Sequence, residues 1–132
     1  MILGLGTDLV NIERIRNLLK EPAGERFVQR VLTEAEREVY ASRHAKHPET
    51  GTRYLALRYA AKEAFSKAMG CGVGAEFSFQ DLSVLNDDKG APVLQFSPRL
   101  DRWLNERRAQ AHVSLSDESD LAMATVIFSL KT

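Results

Sequence analysis

The stretch from Arg53 to Met69 constrains the fold most, because it repeats small apolar residues at helical spacing and stops at Gly70. At about 3.6 residues per turn, Leu57, Ala60, Ala61, Ala64, Phe65, Ala68 and Met69 share one side. Tyr59, Lys62, Glu63, Ser66 and Lys67 share the other, with Arg58 at the boundary. Alanine adds little bulk, so such a helix is able to lie close against a sheet. Gly70 supplies the residue type that commonly closes a helix in the left-handed conformation. One long helix with an apolar side needs cover, and the flanking segments offer strands.

Ile2 to Val10 reads as the first of these. Alternation puts Leu3, Leu5, Thr7 and Leu9 on one face and Ile2, Gly4, Gly6 and Asp8 on the other. The glycines beside Asp8 leave room for a close approach to the backbone. Asn11 is placed to cap a short helix carrying Ile12, Ile15, Leu18 and Leu19, which Pro22 and Gly24 interrupt. A second helix carries Phe27, Val28, Val31 and Leu32, and Thr33-Glu34-Ala35-Glu36 has the capping-box pattern that starts a third. Residues 45–51 read as a loop. Phe77 to Leu85 reads as a strand, Asn86 to Gly90 as a turn and Val93 to Phe96 as the returning strand. A last helix follows Pro98 through Leu100, Trp103 and Leu104. His112–Ser116 and Leu121–Leu130 then form a hairpin across Asp117–Asp120. The expected fold is α+β: one domain over residues 1–132, an antiparallel sheet packed with helices, and one long central helix.

Composition narrows the function. The 18 Lys and Arg balance 18 Asp and Glu, so net charge alone draws the chain neither to nucleic acid nor to an anionic membrane. No apolar run approaches the length of a membrane span, and no secretory leader pattern is visible. Cys71 is the only cysteine, which excludes an intrachain disulfide and fits a reduced, cytoplasmic setting. An anion site must therefore come from a local cluster of cations.

The long helix provides one. Its polar side gathers Lys62, Glu63, Ser66 and Lys67 within about two turns. A solvated surface with an ordinary Glu63–Lys67 pair would look the same. Asp8, at the end of a glycine-containing strand, suits either a ligand or a cap for the next helix. His112 and Ser114 share a strand face, where a histidine serves as readily in a structural hydrogen bond as in binding. His44 and His47 complete no zinc set, and Cys71 lacks a base partner.

Together these segments resemble the bacterial holo-acyl-carrier-protein synthases, the short-chain 4′-phosphopantetheinyl transferases. Gly4-Leu5-Gly6-Thr7-Asp8-Leu9-Val10 is similar to the family's first motif, and Arg58 to Ala68 followed by Gly70-Cys71-Gly72 to its most specific one. Asn86 to Pro92 matches the central turn and His112-Val113-Ser114-Leu115-Ser116 the late strand. Cys71 replaces a usual Thr, and Asp117-Glu118 a His-Thr pair seen in some members.

The resemblance implies transfer of 4′-phosphopantetheine from coenzyme A to a serine of apo-acyl carrier protein, in fatty acid biosynthesis. Asp8 and Glu63 would hold Mg2+, with Lys67 beside them in catalysis. Arg58, Lys62, Lys67, His112 and Ser114 would contact the coenzyme A phosphates, and Arg14, Arg26 and Arg30 would meet the acidic carrier. It also implies a homotrimer with sites between subunits. The general base is left open between a carboxylate and a metal-bound water. The competing class is a non-catalytic coenzyme A or nucleotide-binding module, against which two carboxylates among the cations argue.

Overall fold

The alanine-rich stretch forms a longer helix than its pattern predicts. In the computed structural model, which describes residues 1–132, the order is β1 (Ile2–Asn11), α1 (Ile12–Leu18), α2 (Ala23–Val31), α3 (Glu34–Lys46) and α4 (Pro48–Met69). A 3-10 turn (Phe79–Asp81), β2 (Leu82–Asn86), β3 (Pro92–Phe96), α5 (Pro98–Glu106), β4 (Ala109–Glu118) and β5 (Leu121–Leu130) follow. The loop expected over residues 45–51 is instead the end of α3 and the first turn of α4. Pro48 starts α4 because its missing N–H is one that a first turn leaves unpaired anyway. Likewise Phe77–Asp81 is not strand, since Ser78 caps the 3-10 turn by accepting the Gln80 N–H.

Other local signals act as read. Asn11 accepts the Glu13 N–H at 2.9 Å, and Thr33 and Glu36 form the full capping box of α3. Gly70 closes α4 at φ 83°.

Strands β1, β5 and β4 form an antiparallel sheet in that order, so β1 and β4 are its two edges. β2 and β3 form a separate antiparallel hairpin. Opposite Gly4, Gly6, Asp8 and Val10 of β1 stand Phe128, Val126, Ala124 and Ala122 of β5, all buried beneath α4. The core continues through Phe65, whose ring packs edge-on to Phe128 at 4.9 Å and stacks on Phe77 at 5.5 Å.

The sheet's other face has nothing over it within the chain. Leu3, Leu5 and Leu9 of β1 and Leu121 and Met123 of β5 stand between 40% and 63% exposed there. His112, Ser114 and Ser116 of β4 alternate onto this same face, opposite Ile127, Thr125 and Met123. No helix is long and apolar enough to cross a membrane.

Candidate active site

The site begins with two glycines. A Cβ built on Gly6 would lie 1.9 Å from the Ala64 carbonyl oxygen, and one on Gly4 would lie 2.4 Å from that of Ala68. Only glycine permits this contact, and the close approach expected at β1 is that of the α4 backbone. Asp8, two residues beyond Gly6, is thereby set against the helix turn that carries Glu63 and Lys67. Lys67 Nζ donates to Asp8 Oδ1 and to the Thr7 carbonyl, each at 3.0 Å.

Glu63 is half-buried beside this pair. Burial raises its carboxyl above the ordinary range, the Asp8 charge pushes the same way, and Lys67 and Arg30 pull it back. A half-buried carboxyl facing a second carboxylate forms a site that gains from a cation. No group of three or more His, Cys, Asp or Glu gathers in the chain, so a fully protein-caged ion has no home. The oxygen pair instead fits a hard divalent ion that takes one or two carboxylates and fills its shell with phosphate oxygens and water.

The rotation of α4 corrects the sequence reading of its polar side. Arg58, Lys62 and Ser66 are buried at 2%, 0% and 1% exposure, and only Tyr59, Glu63 and Lys67 form the accessible stripe. Lys62 Nζ donates to Glu36 Oε1 at 2.5 Å, to the Val31 carbonyl at 2.7 Å and to the Phe79 carbonyl at 2.9 Å. Burial pushes its ammonium down to about 8 against the pull of Glu36. Ser66 donates to the Glu63 carbonyl at 2.7 Å.

Arg58 Nε donates to the Val84 carbonyl at 3.0 Å and Nη2 to Asn86 Oδ1 at 2.7 Å, with the guanidinium over the Tyr54 ring. It lines a cleft of about 540 Å³ with Arg43, Asn86, Asp87 and the edge of β4 at Ser114. His112 Nε2 shares a hydrogen bond of 2.8 Å with Ser129 Oγ on the uncovered sheet face. Within one chain, then, Asp8, Glu63 and Lys67 converge, Arg58 lines a second cleft that reaches the edge of β4 at Ser114, and His112 and Ser114 alternate onto the uncovered face of the sheet.

Arg14, Arg26 and Arg30 are exposed around the seam of α1 and α2. Adjoining clefts there share Leu18 and Phe27; Arg14 and Tyr59 line one, Arg26 and Arg30 the other. Tyr59 packs edge-on to Phe27 at 5.1 Å and stands one turn before Glu63, so the basic seam runs up to the carboxylates. Sequence reading missed Tyr59 and Glu36. The first looked like one polar residue among several, and the capping-box pattern already accounted for the second.

Comparisons with known proteins give the family and the fold. The family described as "4'-phosphopantetheinyl transferase superfamily" matches residues 4–126. A holo-[acyl-carrier-protein] synthase of Bordetella pertussis is 44% identical over 130 residues, covering 98% of this chain and 84% of the relative. The crystal structure of the synthase from Neisseria meningitidis superposes with a TM-score of 0.86 at 38% identity, covering 98% of this chain and 99% of that one. A Bacillus anthracis synthase "in complex with CoA (3',5'-ADP)" gives 0.80 at 36% identity, with 99% of each chain covered. Because the match spans the strand of Asp8, the helix of Glu63 and the late hairpin in one order, this chain belongs to the 4′-phosphopantetheinyl transferase superfamily.

Proposed function

We propose that the chain, working over residues 1–132 as one domain, transfers 4′-phosphopantetheine from coenzyme A to a serine of apo-acyl carrier protein. The observation that carries this is the meeting of Asp8, Glu63 and Lys67 through the backbone contact of Gly6 with Ala64. In the reaction the serine hydroxyl oxygen bonds to the phosphorus that bears pantetheine. The bond from that phosphorus to the adenylate phosphate oxygen breaks, and the serine proton passes to a carboxylate or water. Adenosine 3′,5′-bisphosphate leaves.

Asp8 and Glu63 would hold magnesium, which when bound supplies neutralising charge to the pyrophosphate and its departing half. Lys67 presents its ammonium to the same phosphates, and Arg58 and Ser114 form the cleft for the nucleotide end. The exposed arginines of α1 and α2 would meet the acidic carrier, raising association rate more than final affinity. His112 belongs in the site only if a second copy covers the apolar sheet face, which supports a homotrimer with sites between subunits. Leu3, Leu5, Leu9 and Met123, exposed together, are what such a contact would bury. The setting is the cytoplasm and the pathway fatty acid biosynthesis.

The test mixes the protein with coenzyme A, magnesium and a competent apo-carrier, and follows the carrier's intact mass. Gain of one phosphopantetheine group is expected. A carrier left unmodified, while coenzyme A still binds, would favour a non-catalytic binding module.

A further inference from the structure

We propose that the buried Lys62–Glu36 couple is a positioning device that fixes the rotation of α4 and the seat of α2, and so aligns Glu63 with Asp8 and with the basic seam. The proposal rests on the transferase reading above.

Lys62 has three N–H donors, and Glu36, Val31 and Phe79 take all three within 2.9 Å. Glu36 is equally committed: Oε1 also accepts the Thr33 N–H at 2.9 Å, and Oε2 accepts the Val84 N–H at 2.8 Å. Both side chains are 0% exposed. No donor remains for a phosphate, and no path from solvent reaches the ammonium. The couple instead ties the end of α2, the start of α3, α4, the 3-10 turn and β2 to one point.

That point is next to the reactive stripe. Arg58, Lys62 and Ser66 recur every four residues and anchor one side of α4, while Tyr59, Glu63 and Lys67 follow each by one residue. Fixing the first row fixes the second. With side-chain ends roughly 5–6 Å from the helix axis, a rotation of about 10° moves a carboxylate by about 1 Å. A misplacement of that size costs up to roughly 100-fold in rate where geometry is critical. The bond to Val31 adds a second consequence, since α2 carries Arg26 and Arg30, and Arg30 lies over the Phe79 ring. The couple thus sets the spacing between the carrier-facing arginines and Glu63. A buried ion pair is seldom needed for stability alone, because well-packed neutral residues often serve as well.

The decisive variant is therefore the neutral double E36Q/K62M, which removes both charges together; the glutamine oxygen still accepts the Val84 N–H, while the Thr33 N–H loses its partner. Folding is checked by circular dichroism, coenzyme A binding by calorimetry, and transfer by carrier mass at a temperature where the variant is folded. The expected result is coenzyme A affinity within about 3-fold of wild type and kcat lower by about 30-fold or more, with the loss in kcat rather than in KM for coenzyme A. Weakened coenzyme A binding with kcat retained would overturn the proposal in favour of Lys62 as a phosphate ligand. Wild-type values of both would reduce the couple to a structural element and overturn it as well. Should the double variant not fold, E36D decides: it keeps the charge but shortens the arm, and a kcat lowered about 3- to 10-fold in folded protein is expected, an unchanged one excluded. Wild-type protein run alongside separates the two readings, since a wild type that binds coenzyme A without turnover counts against the transferase and not against the couple.

Discussion

Two polar stripes run side by side along α4, both carrying charge, and they differ in their surroundings. Arg58, Lys62 and Ser66 lie in the interior with their polar atoms matched, whereas Tyr59, Glu63 and Lys67 lie in reach of solvent. Each stripe contains a long charged side chain, and a helical wheel puts both on the polar side. The difference comes from what stands opposite. Glu36 and the carbonyls of Val31, Phe79 and Val84 meet the first stripe, and Asp8 and water meet the second. Charge on a helix therefore indicates a partner, and the partner's place decides whether the charge serves architecture or chemistry.

The largest effect that would break this contrast is expected at Glu63. Glu63→Ala should lower transfer by at least about 100-fold, as removal of a group that stabilises transition-state charge does, while leaving the melting temperature nearly unchanged. Thermal melts and carrier mass spectra on one preparation check both halves. A variant that melts early would assign Glu63 to the other stripe. Lys62→Met alone should lose stability together with turnover. It strands Glu36 as a buried unpaired charge, and urea titration should show a loss of roughly 3–5 kcal/mol. Unchanged stability would mean that the interior stripe is not held by charge.

Asp81 tests the buried kind of charge more gently. Burial works against its ionised form, yet hydrogen bonds from Arg99, Ser97 and the Ser78 N–H outweigh it and hold the carboxyl below its ordinary value. A depressed carboxyl contributes stability that is present above the unfolded-state pKa and lost as pH falls through the folded one. Asp81→Asn should therefore cost about 1–2 kcal/mol at neutral pH, and the gap to wild type should close in acid. A gap independent of pH would point to packing instead. The smallest effect belongs to the exposed kind. Arg14→Glu should slow carrier association several-fold at low salt, as stopped-flow mixing would record, and the difference should fade as salt rises. Loss that persists at high salt would indicate direct contact rather than steering.

Much of this was legible in the chain. The α+β class, the alternation within β1 and within β4, the Asn11 cap and the Thr33 capping box all rest on neighbours within a few residues. So does the helix that carries Glu63, and the glycines of β1 announced a close approach without saying of what. The misses have a common cause. Residues 45–51 read as a loop, although Pro48 at a first turn starts a helix. Lys62 reads from sequence as a phosphate contact on the open polar side because Glu36 lies 26 residues away, and no local pattern links them. His112 and Asp8 stand on opposite faces and opposite edges of one sheet, so a site holding both needs the second copy that the family resemblance implies.

The contact of Gly6 with Ala64 has a consequence for how freely this sequence is able to drift. Where a strand meets a helix through side chains, every change of core volume alters their spacing. Here main chain rests on main chain, so the gap between the two acidic elements works as a fixed gauge, indifferent to which hydrophobic residues fill the rest of the interior. Repacking around Phe65 and Phe128 is then a question of how firmly the molecule holds together, while the two glycines hold the distance between the reacting groups and the Lys62–Glu36 couple holds their rotation.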